Sequence, residues 1–160
     1  MTDFADFAPL TDALDDLTAR LHPGERRKLA GKVGTSLRAT NAKRIKANLT
    51  PDGAPMAPRK AKPARKLRPG SLRDAKAARM FQSAGKPQFL RRQIADDGLE
   101  VGFAGAMARI MRVHQFGLRD TVTRDPASPA VTYAERPVIG LTPEDRLAML
   151  DQVTDHLAPH

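Results

Sequence analysis

The chain has 160 residues, 41% of them hydrophobic and 28% charged. That is enough apolar content for one buried core, and it excludes a wholly disordered or membrane-spanning chain. With no Cys, a disulfide framework, thiolate chemistry and a Cys-ligated metal are excluded too. The formal net charge of +9 divides unevenly: −4 over residues 1–22, +17 over 23–92 and −4 over 93–160. Any polyanionic partner must therefore meet the middle block. No apolar run approaches the ~20 residues that span a bilayer. The acidic start Met1-Thr2-Asp3-Phe4 also lacks the basic-then-apolar layout of a signal peptide. These features predict a soluble, non-secreted chain with no membrane partner.

Phe7, Leu10, Leu14, Leu17 and Leu21 recur three or four apart, with Asp12, Asp15 and Asp16 between them. The spacing predicts an amphipathic helix from about residue 8, with Pro9 in its first turn. His22-Pro23-Gly24 breaks it, and Pro23 opens a second helix. Its stripe is Leu29, Val33, Leu37 and Ile45, with Asn41 filling the missing step. Arg26, Arg27, Lys28, Lys32, Arg38, Lys43, Arg44 and Lys46 form a basic opposite face, read either as solvated surface or as contact surface. Gly31 and Gly34 each weaken this helix by ~1 kcal/mol relative to Ala, so its middle must rely on packing.

Residues 50–70 hold five Pro, two Gly and six bases, which predicts an extended basic Pro-rich loop or arm with few residues to anchor it. Arg59, Lys60, Lys62, Arg65, Lys66 and Arg68 are its candidate partner-binding residues. Ser71 caps a short predicted helix over 72–84, ended by Gly85 and Pro87. Residues 89–94 and 99–103 flank Asp96-Asp97-Gly98, a hairpin signal. A third helix is expected from Ala106 to Phe116, stopped by Gly117. Val131-Thr132-Tyr133 reads as a strand. Thr142-Pro143-Glu144-Asp145 starts a last helix, which carries Leu147, Leu150, Val153 and Leu157 on one face. The expected architecture is α+β over a single domain, 1–160. It comprises N-terminal helices, the arm, a small antiparallel sheet with a packed helix, and a C-terminal helix.

Nothing in the sequence argues for catalysis or a cofactor. His22, His114, His156 and His160 show no metal-ligand spacing, and Gly31-Lys32 and Gly85-Lys86 lack the rest of a phosphate loop. What remains is the +17 block. It would neutralise phosphates without sequence readout, or dock on an acidic protein surface. Phe81 and Phe89 are its only aromatics, which disfavours base stacking on single strands.

Three groups of residues also carry a likeness. They are Pro51-Asp52-Gly53-Ala54-Pro55-Met56-Ala57-Pro58-Arg59-Lys60 with Leu99-Glu100-Val101-Gly102-Phe103, then residues 108–120 around His114-Gln115-Phe116-Gly117, then Arg136-Pro137-Val138-Ile139-Gly140-Leu141-Thr142. In order and spacing the chain resembles the phage virion morphogenesis family, which includes tail completion proteins of contractile-tailed temperate phages and Mu-like prophages. Many relatives have Pro-Phe-Leu-Gly near residues 137–140, an apolar difference that leaves the fold unchanged. The resemblance implies a structural, non-enzymatic protein that finishes the head-proximal end of the tail and prepares it to join a DNA-filled head. It implies a hexameric ring of this chain, made in the bacterial host cytoplasm and carried in the virion. Its implied neighbours are tail tube and sheath subunits, a head-completion or connector protein, and non-specifically the DNA passing through.

On their residue chemistry the shared motifs read as mainly structural. Phe116 is expected in the core and Gly117 as a left-handed helix cap. His114 or Gln115 is alternatively a partner contact. Arg136 to Gly140 is expected as a short extended packing segment.

Overall fold

The computed structural model describes residues 22–58, 80–94, 98–122 and 127–158. The predicted helix over 7–21 and the six candidate arm residues Arg59, Lys60, Lys62, Arg65, Lys66 and Arg68 lie outside these described residues.

Among the described residues, three helices and two antiparallel strand pairs form an α+β fold. Helix α1 spans Pro23–Ala47; strands β1 and β2 span Leu90–Ile94 and Leu99–Phe103. They are followed by α2 (Ala106–Gln115), β3 (Arg119–Thr121), β4 (Ala130–Thr132) and α3 (Pro143–Leu157). Pro23 opens α1, the His22 ring accepts from the Gly24 N–H at 3.4 Å, and Asn48 closes it in the left-handed region at φ 61°.

The four-residue stripe of α1 is realised, with Val33, Asn41 and Ile45 buried and Leu29 and Leu37 half-buried. Packing explains Gly34 on this helix. A Cβ there would sit 2.6 Å from Leu99 Cδ1 and 3.2 Å from Arg92 Cδ, so the β1–β2 hairpin lies directly on the helix backbone. That hairpin is the one expected, and it pairs Leu90 with Phe103 and Ile94 with Leu99. Strand β3, which the sequence reading did not anticipate, pairs separately with β4, Arg119 opposite Thr132. The sheet is therefore two two-stranded units.

One cluster joins distant parts of the chain: Ile45 of α1, Met56, Ala84, Leu90 of β1, Met111 of α2 and Val138. Each large apolar side chain so buried contributes roughly 1.5–3 kcal/mol.

Several expectations need correction. Residues 50–58 are not a loose start to the arm. Met56 is core, Thr50 is buried, and Leu49 and Pro55 form a β-bridge. The described end of the predicted 72–84 helix, residues 80–84, is bend and turn, with Phe81 at φ 56°. On α3, Val153 and Leu157 are half-buried as expected, but Leu147 and Leu150 are 63% and 61% exposed; Met149 is half-buried instead, and Asp145 is buried at the first turn. The helix is rotated because polar bonds in its first turn, not its leucines, set its seat on α1.

Candidate functional site

The shared motif residues converge on one segment, residues 136–142, which runs extended into the N-cap of α3. Asn41, four residues from Ile45 on the buried face of α1, accepts the Gly140 N–H at 3.0 Å and donates to Leu37 O at 2.8 Å. Arg44, one turn further along, donates to Gly140 O at 2.9 Å and pairs with Asp145 at 2.8 Å. The sequence places Arg44 on the basic outer face; in the fold it is largely buried, because the strap formed by residues 136–142, together with α3, covers it. Gly140 admits no side chain, since a Cβ would lie 2.6 Å from Pro51 Cγ.

Gln115 holds the middle of the strap from α2. Its Oε1 accepts from Val138 N (2.7 Å) and Ile139 N (3.1 Å), and its Nε2 donates to Ile139 O at 3.1 Å. One amide side chain thus satisfies three part-buried backbone groups that no strand partner serves. Gly117, at φ 61°, ends α2 as expected. The Leu118 N–H reaches Val113 O at 2.9 Å, and a Cβ on Gly117 would press on Glu135 N at 3.1 Å. Phe116 is a correction: it is 62% exposed, because the helix cap turns its side chain outward.

Arg136 is 5% exposed. It donates to Ala57 O (2.7 Å), Pro58 O (2.9 Å) and Ala134 O (3.0 Å). Its remaining contact is His114 Nδ1 at 3.3 Å. Arginine is only a donor, so Nδ1 accepts there and the proton of a neutral ring lies on Nε2. Burial lowers the Arg136 pKa from its usual value, but a guanidinium stays charged. The His114 ring packs edge-on between Phe81 and Tyr133, at centroid distances of 4.9 and 5.0 Å. Pro137 follows Arg136 and offers no N–H to satisfy.

These residues grip both borders of the basic run 59–79. On its leading side Arg136 holds Ala57 and Pro58, and Met56 N donates to Asn48 O at 2.9 Å. On its trailing side Met80 N donates to the Asn48 side chain at 3.1 Å, and Phe81 meets His114. Among the described residues, Asn48 hydrogen-bonds to both borders. Upstream, Asp52 caps its own turn: the Thr50 hydroxyl donates to its carboxylate, and Gly53 sits at φ 83°. That hydroxyl and the local backbone N–H groups hold the Asp52 carboxyl below the usual range.

The sequence reading named the motifs but missed the side chains that join them, Asn41, Arg44 and Asn48. Asn41, a polar residue in an apolar stripe, was the available signal. Asp145 completes the seat of α3. Burial pushes its carboxyl up, but the Thr142 N–H, the Thr40 hydroxyl and Arg44 together outweigh that and hold it below the usual range. Asp145 N in turn donates to the Thr142 hydroxyl at 3.1 Å, closing a capping box.

The arrangement is a frame of backbone carbonyls, amides and buried donors, with no nucleophile beside a base. Among the described residues no three His, Cys, Asp or Glu side chains gather as a metal site, and no helix is long and apolar enough to cross a membrane.

Comparison with known proteins covers the whole stretch of chain that holds this frame. The chain is 30% identical over 153 residues to tail completion protein S of Escherichia phage P2, covering 95% of this chain and 97% of that protein. No solved structure matches. The model of the phage virion morphogenesis family matches residues 5–158, from before the first described helix to the end of α3, and the chain belongs to that family.

Proposed function

We propose that the protein is a structural, non-enzymatic tail completion protein, which finishes the head-proximal end of a phage tail as a ring and prepares it for joining to the head. The observation that carries this reading is the near end-to-end similarity to a protein of that name. In this role the frame around Arg136 presents the basic run from a fixed base. Arg59, Lys60, Lys62, Arg65, Lys66 and Arg68 then contact tail tube or sheath subunits, a neighbouring copy or a head-completion protein. Protein contact ranks above DNA contact, because a strongly basic lumen would retard DNA leaving through it.

Complementation tests the reading. Tails made without this protein are expected to remain unjoined to heads, and purified protein should restore joining. Failure to restore it overturns the proposal. The +17 block supports a second reading, a DNA-binding protein without sequence preference. Duplex binding that persists at about 100 mM salt with a steep salt slope, without restored tails, would favour that alternative. Neutralising the six arm residues together is expected to abolish joining while leaving the fold intact.

A further inference from the structure

Two surfaces of the described fold have complementary chemistry and no residue in common. The first is the outward face of α3. Leu147 and Leu150 stand exposed one turn apart, and the exposed carboxylates Glu144 and Asp151 lie one turn before and after Leu147. The second is a groove of about 530 Å³ between the last turns of α1 and the turn at 82–86. Its floor is Ala42 and Ile45, and Lys43, Lys46 and Lys86 rim it. All three lysines are exposed, and none forms an ion pair with a described carboxylate. The wall of the groove is firm: a Cβ on Gly85 would lie 3.2 Å from the Ala42 backbone, so the turn rests directly on the helix.

We infer that the Leu147–Leu150 face of α3 seats in the Lys43–Lys46–Lys86 groove of a second copy of this chain. An apolar strip edged by carboxylates meets an apolar floor edged by ammonium groups; the leucines supply the buried area and the charges set the register. The strip does not occupy its own groove. Arg44–Asp145 at 2.8 Å and His156–Glu25 at 3.4 Å lay α3 along α1 with both leucines outward. Because each copy offers one strip and one different groove, the contact is heterologous, and its repetition closes a ring or extends a filament. The inference rests on the ring reading above and names the faces that would form it.

The native chain has no Cys, so introduced thiols report cleanly. In the full chain carrying both Leu147→Cys and Lys46→Cys, a short bismaleimide applied to completed tails is expected to give a ladder of covalent multimers. Each single variant should give nothing above dimer. A double variant that cross-links no further than the singles, or joins only to another tail protein, overturns the inference. In parallel, Leu147→Glu with Leu150→Glu, and separately Lys46→Glu with Lys86→Glu, should cut completed tails by about tenfold or more with unchanged melting temperature. Adding Asp151→Lys to the lysine reversals should recover part of the loss. Full completion by the leucine variant also overturns the inference while leaving the proposed function standing. Failure of the wild-type protein to complete tails sinks the function itself.

Discussion

The strap at 136–142 and the helix α3 that follows it are adjacent in sequence and opposite in construction. Along the strap, backbone groups are claimed by side chains from far away: Gln115, Asn41 and Arg44 each reach it from another element. Past its first turn, α3 turns Met149, Val153 and Leu157 toward the rest of the fold and leaves its opposite face open. Asp145 and Thr142 are buried, yet Leu147 and Leu150 stay in solvent. Polar residues are thus inside where apolar ones are outside. Buried polar groups that are fully bonded specify one arrangement of the chain, whereas exposed leucines on a fixed helix are free to meet something else. The difference separates residues that hold the frame from residues available to a partner, and substitutions in each should separate the same way.

The largest effect is expected at Arg136. Arg136→Ala removes the donors of Ala57 O, Pro58 O and Ala134 O at once, and charged hydrogen bonds of this kind are each worth about 1.5–3 kcal/mol. A loss of roughly 3 kcal/mol or more should appear in denaturant unfolding, with faster proteolysis beginning near residues 57–81. Arg136→Lys keeps the charge but not the fork, and should recover only part of it. An alanine variant as stable as wild type would mean that water replaces the clamp.

Next comes Gln115. Gln115→Ala leaves Val138 N and Ile139 N without their acceptor, at a cost of about 1–3 kcal/mol. Gln115→Glu keeps that acceptor but sets a carboxylate oxygen against Ile139 O, so it should recover part of the loss only at low pH, where the protonated acid can donate to that carbonyl. Equal losses for both variants at low pH too would place the value of the residue in packing rather than in its hydrogen bonds.

Asp145 links strap and helix through charge, and its effect follows pH. Its carboxyl titrates lower in the folded chain than in the unfolded one, so the unfolded chain takes up the proton first. The stabilisation is complete above the ordinary carboxylate value, about pH 4, and is lost as pH falls through the lower folded value. Asp145→Asn should therefore destabilise at neutral pH and approach wild type as pH falls through the lowered folded value. A stability gap that stays constant with pH would mean that the Asp145 charge adds nothing, and that the side chain acts through its shape and neutral hydrogen bonds alone.

Much of the frame was legible as pattern. Val33, Asn41 and Ile45 declared a helix face by spacing, and Thr142-Pro143 with Asp145 declared a helix start through local chemistry alone. Long-range polar contacts leave no such period. Arg44 sits among solvated bases in the sequence, and nothing local distinguishes it from Lys43 beside it; only the arrival of Gly140 and Asp145 does. Phe116 misled for a related reason. Its apolar character predicts burial, but the position before a left-handed Gly117 fixes where its side chain points. Leu147 and Leu150 have the right period for a core face, and the capping box overrode it by setting the rotation of α3.

The smallest expected effect on the isolated chain is at those leucines, and it tests the comparison most directly. Leu147→Ser and Leu150→Ser remove side chains that are 63% and 61% exposed, so each should change unfolding stability by no more than about 0.5 kcal/mol. A buried leucine of similar size, Leu90, should lose about 2–5 kcal/mol on truncation to Ala. If the serine variants melt several degrees lower, the leucines are part of the fold and α3 is covered within one copy. If they melt with wild type but complete tails poorly, stability and assembly reside on different faces of one helix. That outcome is expected because Asp145 already fixes α3 through Arg44, and the leucines add nothing to that attachment.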